Sequence, residues 1–167
     1  MFAVKWKCMI ESFLRQLELL FKNPAFLACI ISWFSTQFIK TVIKLFAGQV
    51  ASLRDLFALL LWRTGGMPSS HTALVATLCT VIGFRSGMNS DIFILALCFG
   101  LVTIRDALGV RRASGIQARV LNEVGAVLRD KEIMDFAPIK EVHGHKPAEV
   151  LFGCFWGVAI GVAFSVL

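Results

Sequence analysis

Three short stretches of this chain hold residue types that suit the handling of an anion. The first is Arg63-Thr64-Gly65-Gly66-Met67-Pro68-Ser69-Ser70-His71. Glycines and a proline directly before an apolar run make a turn that opens into a helix. The free N–H groups of that first turn attract anions, with Ser69 and Ser70 as candidate caps and His71 beside them. On its own, a Ser-Ser-His start reads more readily as a cap than as an active site. The second stretch is Arg105-Asp106 with Gly109-Val110-Arg111-Arg112, at the end of another apolar run. Charges at membrane depth are costly and face a partner or a water-filled cavity, and adjacent arginines suit bidentate phosphate recognition. The alternative is a basic loop that sets topology. The third is Lys140-Glu141-Val142-His143-Gly144-His145-Lys146-Pro147-Ala148-Glu149. With a helix starting near Pro147, Glu149 lies in its first turn and reaches back four residues to His145. A carboxylate on one ring nitrogen leaves the other free as nucleophile or base. Glu149 acting only on the helix dipole is the alternative.

The elements that must position these residues are mostly membrane spans. Hydrophobic residues make up 57% of the 167 and charged residues 17%, with a mean hydropathy of +0.74. A soluble domain has roughly 45 to 50% and about 25%, so lipid is the solvent and disorder is excluded. The length suits one membrane domain over 1–167, with an interfacial helix at 1–23 and the helical core at 24–167. The net charge of +6 suits an anionic membrane surface or a phosphorylated substrate ahead of nucleic acid, and no nucleic-acid partner is expected. The cysteines are Cys8, Cys29, Cys79, Cys98 and Cys154. They are scattered singly through apolar sequence and read as small buried hydrophobes, not as a disulfide or metal framework. Charges interrupt the N-terminal segment, so it is not a cleavable signal.

The fold predicted is an all-α polytopic membrane bundle. Trp6, Met9, Ile10, Phe13, Leu14, Leu17, Leu20 and Phe21 recur at helical steps between charges, which predicts an amphipathic helix at the membrane interface or packed on the bundle. About four spans follow, from Pro24 to just past Ile39, from Ser70 to Gly87, from Ser90 to Ile104 and from Val150 to Leu167. Residues 53–62 are too short to cross and predict a re-entrant helix. Residues 114–131 predict a second amphipathic helix outside the core. Gly153, Gly157 and Gly161 form two overlapping G-x-x-x-G units in the last span. They suit close packing inside the chain or, as the less favoured choice, a homodimer face. Counting crossings brings Lys40, Lys44 and all three polar stretches to one membrane face. That face holds most of the Lys and Arg residues, which by the positive-inside rule makes it cytoplasmic and the membrane a plasma (inner) membrane.

Three segments, Gly65 to Ala73, Asp106 to Ala118 with Leu121-Asn122, and Glu141 to Gly153, resemble the divergent branch of the type 2 phosphatidic acid phosphatase superfamily, whose members are often labelled acid phosphatase/vanadium-dependent haloperoxidase-related. The resemblance extends from about Phe38 to the last span. It implies that Lys40 is the lysine of the first motif, that Ser69 binds phosphate and that His71 is the general acid. It further implies that His145 is the nucleophile and Glu149 the carboxylate that orients it. No metal or other cofactor is implied. Ser70 stands where the superfamily has the glycine of P-S-G-H, and Glu149 where it has Asp. The position six before His145, an arginine in the superfamily, is Ile139, with Lys140 beside it. Arg111 or Arg112 is the candidate replacement, Arg54 or Arg63 the candidate first-motif arginine, and Gly66 and Asp106 are supporting residues.

The function this implies is hydrolysis of a lipid phosphomonoester, of the phosphatidic acid, phosphatidylglycerol phosphate or polyprenyl phosphate class, through a phosphohistidine. Its partners would be that substrate and membrane lipids. The rival class is a non-catalytic membrane protein that binds or moves anionic lipids. Haloperoxidase chemistry would need bound vanadate and a solvent-open pocket.

Overall fold

The computed structural model describes residues 2–48, 52, 66–141 and 144–166. The expected re-entrant helix at 53–62 lies outside these residues, as do Arg54, Arg63 and His143. Every regular element among the described residues is helical. In chain order they are α1 (Phe2–Phe21), α2 (Pro24–Phe46), α3 (Ser70–Ser86), α4 (Asp91–Arg105), a π-helical turn (Asp106–Val110), α5 (Arg111–Asp130) and α6 (Pro147–Val166).

Local chemistry sets most of the ends. Asn23 caps α2 by accepting from the Ala25 N–H at 2.9 Å, and Pro24 occupies the first helical position, where its missing N–H costs nothing. Ser90 caps α4 through the Phe93 N–H at 3.3 Å. Gly87, at φ 84°, ends α3 in a conformation that a side chain disfavours. The span expected from Ser90 to Ile104 and the amphipathic helix expected at 114–131 are joined. Asp91–Asp130 is a continuous helical rod of 40 residues, with the π-helical turn inside it. The segment contains no proline, and Gly109 alone costs only about 1 kcal/mol in a helix. The chain therefore widens one turn and continues.

Three stretches are long and apolar enough to cross a membrane: Pro24–Phe46, Asp91–Asp130 and Pro147–Val166. Helix α3, with 17 residues, is shorter. At 1.5 Å per residue it covers about 25 Å, near the lower limit for a span. It forms the centre of the bundle, packed on α2, α4 and α6. It runs antiparallel to α4, since Gly83 approaches Phe93 while Gly100 approaches Val75 and Cys79. It runs parallel to α6, since Gly153 meets Ser69 and Thr72 while Gly161 meets Thr77 and Thr80.

The interior is small and hydroxylated, and the bulky side chains point outward. Ala28, Ala73, Ser32, Thr36, Thr72 and Thr77 are buried, whereas Phe99, Phe152 and Phe155 are more than half exposed. Hydrocarbon solvates a phenyl ring as well as a protein core does, so helices in lipid associate through close backbone approach and hydrogen bonds. The glycine stripe of α6 does this within the chain. A Cβ on Gly153 would lie 2.6 Å from the Ser69 carbonyl, and one on Gly157 would collide with the Ala73 carbonyl. At the same level Thr77 Oγ1 lies 2.8 Å from Ser32 Oγ and 2.9 Å from the Gly157 carbonyl, and Trp156 Nε1 donates to Ser35 Oγ at 2.9 Å. Each such bond contributes roughly 0.6 kcal/mol in a membrane.

Helix α1 stands apart from this core. It meets the bundle where the Phe21 ring packs edge-on against Phe26 at 5.6 Å, and Trp6, Met9, Ile10, Phe13 and Leu14 stay exposed. An apolar face of that kind, free of the bundle, is suited to the lipid interface.

Candidate active site

The C-terminal ends of α2 and α4 and the N-terminal ends of α3 and α6 meet at one end of the bundle. Helix geometry delivers the central pair. Pro147 starts α6, Glu149 falls in its first turn, and its Oε2 lies 2.7 Å from His145 Nδ1. The side chains are 6% and 17% exposed. An ionised carboxylate holds a proton on Nδ1, so the imidazole presents Nε2 as a bare lone pair. This tautomer follows from the partner, because a carboxylate accepts and does not donate.

The loop carrying His145 is seated on the π-helical turn. Its backbone N–H donates to the Ala107 carbonyl at 3.3 Å, and Gly144 lies so close to Arg112 that a Cβ there would come within 2.6 Å of the Arg112 backbone nitrogen. The Asp106–Arg112 segment thus positions the histidine besides contributing charge. Arg111 Nε donates to Asp106 Oδ2 at 2.9 Å, leaving the rest of the guanidinium for another acceptor.

The start of α3 closes the other side. The Ser69 N–H donates to the Glu149 carbonyl at 3.0 Å, which locks the two parallel helix starts together. Ser69 itself is fully buried, and its Oγ accepts from the Thr72 N–H at 3.5 Å and from Thr72 Oγ1 at 3.0 Å. The phosphate ligand expected there is therefore engaged as the helix cap. Its neighbour Ser70 points the other way, and its Oγ accepts from Lys40 Nζ at 3.1 Å. Lys40 is 3% exposed and lies within electrostatic reach of Lys44 and Glu149. Gly66, at φ 95°, runs alongside the Lys44 side chain. His71 is half-buried, within electrostatic reach of Arg111, Lys40, His145 and Asp106.

Lys140 is not brought into this group by the described contacts. The backbone of its neighbour Ile139 is held from both sides by Asn122, whose Oδ1 accepts the Ile139 N–H at 2.8 Å and whose Nδ2 donates to its carbonyl at 2.9 Å. Asn122 lies eleven residues, about 16 Å, along α5 from Arg111. Arg112 is exposed, with its backbone against Gly144. Sequence reasoning missed the clamp by Asn122 and the Ala107 carbonyl, and it named Ser69 and Ser70 alike as candidate caps without separating them. An Asx side chain facing an extended segment was the available signal for the first, and nothing local pointed to the second.

The arrangement offers an anion two helix N-termini, Lys40, Arg111 and the half-buried His71, with a nucleophilic nitrogen beside them. Among the described residues no group of His, Cys, Asp and Glu has the arrangement needed to hold a metal ion.

The sequence profile of the divergent PAP2 family matches residues 21–160, which span every residue of this site. The uncharacterized membrane protein YuiD of Bacillus subtilis (strain 168) is 36% identical over 113 residues, covering 61% of this chain and 72% of that protein. No solved structure matches the chain.

Proposed function

This chain belongs to the divergent PAP2 family, and on that premise we propose that it is an integral membrane phosphatase that hydrolyses a lipid phosphomonoester. The observation that carries the reading is the buried His145 held by Glu149 at 2.7 Å, beside a cationic helix start. A carboxylate that merely complements the α6 dipole has no need to hold an imidazole that is shut away from solvent.

In the proposed reaction the phosphate sits between Lys40, Ser70 and Arg111. His145 Nε2 attacks phosphorus, a P–N bond forms, and the P–O bond to the lipid breaks with its electron pair on oxygen. His71, protonated once the bound phosphate offsets the cations around it, gives that oxygen its proton. Water then attacks the phosphohistidine and gives its proton back to His71, releasing inorganic phosphate and restoring both histidines. Glu149 stabilises the positive charge that develops on His145. The cations stabilise the negative charge on the equatorial oxygens, in a site whose walls are low in dielectric. The same proposal takes this face as cytoplasmic, which the positive-inside bias supports, in a plasma membrane.

Purified protein in mixed micelles with phosphatidic acid should release inorganic phosphate, and His145→Ala should release none above background. Equal release by the two proteins would end the phosphatase reading and leave the binding of anionic lipids without chemistry.

A further inference from the structure

Helices α4 and α6 both pack on α3 but hardly on each other. Between them runs a groove of about 190 Å³, floored by Val75 and Cys79 of α3 and walled by Leu97, Gly100 and Ile104 of α4 and by Val158 of α6. Thr80 also lines it, but its hydroxyl is turned back to the Ala76 carbonyl at 2.8 Å, so the groove presents hydrocarbon. Gly100 differs in kind from the α6 glycines. A Cβ there would meet Cys79 Sγ at 3.6 Å and Val75 at 3.9 Å, ordinary contact distances, so packing does not require its absence. What the missing side chain does is keep the groove open.

The groove ends under the site. Val75 lies one helical turn beyond His71 on the same face of α3, and Ile104 directly precedes Arg105-Asp106. We propose that this groove seats one hydrocarbon chain of the phosphate-bearing lipid, which rests on the phosphatase reading above and deepens it to a substrate held by chain as well as headgroup. The volume is below the roughly 300 Å³ at which drug-sized pockets begin, which suits one chain and no headgroup. A partner helix is a poor fit, because Leu97 and Leu101, which line the groove and are exposed, are bulky where helix pairing needs small residues. The cations at its upper end select an anionic lipid over a zwitterionic one. Surrounding lipid is as apolar as the groove, so the chain gains little affinity there. Its effect is to fix the height and direction of the phosphate relative to His145 Nε2.

The test uses the full chain in phosphatidylcholine nanodiscs containing phosphatidic acid with a diazirine on its acyl chain. After photolysis, adducts mapped by mass spectrometry should concentrate on 75–80 and 97–104. Gly100→Leu should lower them about tenfold by occupying the space, Gly100→Ala should lower them less, and phosphatidylcholine with the same labelled chain should give few. Equal labelling by the two lipids, labelling indifferent to Gly100→Leu, or adducts mainly on the outer helix faces would overturn the proposal. Gly100→Ala and the wild-type map decide the matter if the leucine variant does not fold. A parallel assay separates this from the phosphatase reading. Gly100→Leu should lower kcat/KM on long-chain phosphatidic acid about tenfold more than on p-nitrophenyl phosphate. A wild-type protein inactive on both substrates refutes the phosphatase reading alone, since the labelling does not depend on turnover.

Discussion

The starts of α3 and α6 lie side by side, point the same way and each carry a histidine, yet they are built differently. At α3 a serine caps the Thr72 N–H from within, and the histidine follows it into the first turn, half-buried among cations. At α6 the histidine precedes the helix, and the first-turn carboxylate turns back to grip it. The hydrogen bond from Ser69 N–H to the Glu149 carbonyl fixes the two at constant separation. On the proposed phosphatase reading the difference separates two tasks. A nucleophile must be aimed, which a short hydrogen bond to a partly buried carboxylate achieves. A proton donor needs only reach and a proton to give, which an imidazole beside the bound phosphate is placed to supply.

Three substitutions can break or sharpen that contrast. Glu149→Gln should have the largest effect. The amide can hold the wrong tautomer and no longer stabilises the imidazolium, so turnover on phosphatidic acid should fall on the order of 10³- to 10⁴-fold. The thermal midpoint should barely move, because the tie to Ser69 runs through the backbone carbonyl. A fully active glutamine variant would reduce α6 to a helix with a dipole-complementing charge. His71→Ala comes next. Loss of a general acid costs about 10²- to 10⁴-fold when the leaving group is an alkoxide. An aryl phosphate, whose leaving group needs no proton, should keep a much larger share of its rate, and rates measured on both substrates check this. Equal losses on the two substrates would mean that His71 binds phosphate and does not donate a proton. Ser69→Ala should be the mildest. Removing an N-cap costs about 1 kcal/mol of stability. Denaturation in detergent should show that loss, with activity within a few-fold of wild type. A loss of activity as large as that of Glu149→Gln would mean that the Ser69 hydroxyl leaves Thr72 to bind substrate.

The parts of this site that were legible in the sequence are those decided within one helical turn. His145 and Glu149 are four residues apart at a proline-led helix start, and a rise of 1.5 Å per residue brings such positions together whatever surrounds them. The spans were legible for a similar reason, since a run of apolar residues long enough to cross a bilayer has few other stable states. The convergence of Lys40, Ser70, His71 and His145 at one end followed from counting crossings.

What only the tertiary structure decided involves partners far apart in the chain or choices between near-equal local states. Whether residues 91–130 break or continue turned on a single widened turn, a matter of about 1 kcal/mol that neighbouring contacts settle. Ser69 and Ser70 are adjacent and chemically alike. One became the cap and the other the partner of Lys40 because α6 and α2 approach α3 from different sides. The seat of the His145 loop is the Ala107 carbonyl, a backbone atom that carries no side-chain signature. The α6 glycines bear on α3 because backbone contact is the main source of cohesion between helices in lipid, and α3 offers the Ser69 and Ala73 carbonyls at the same four-residue spacing.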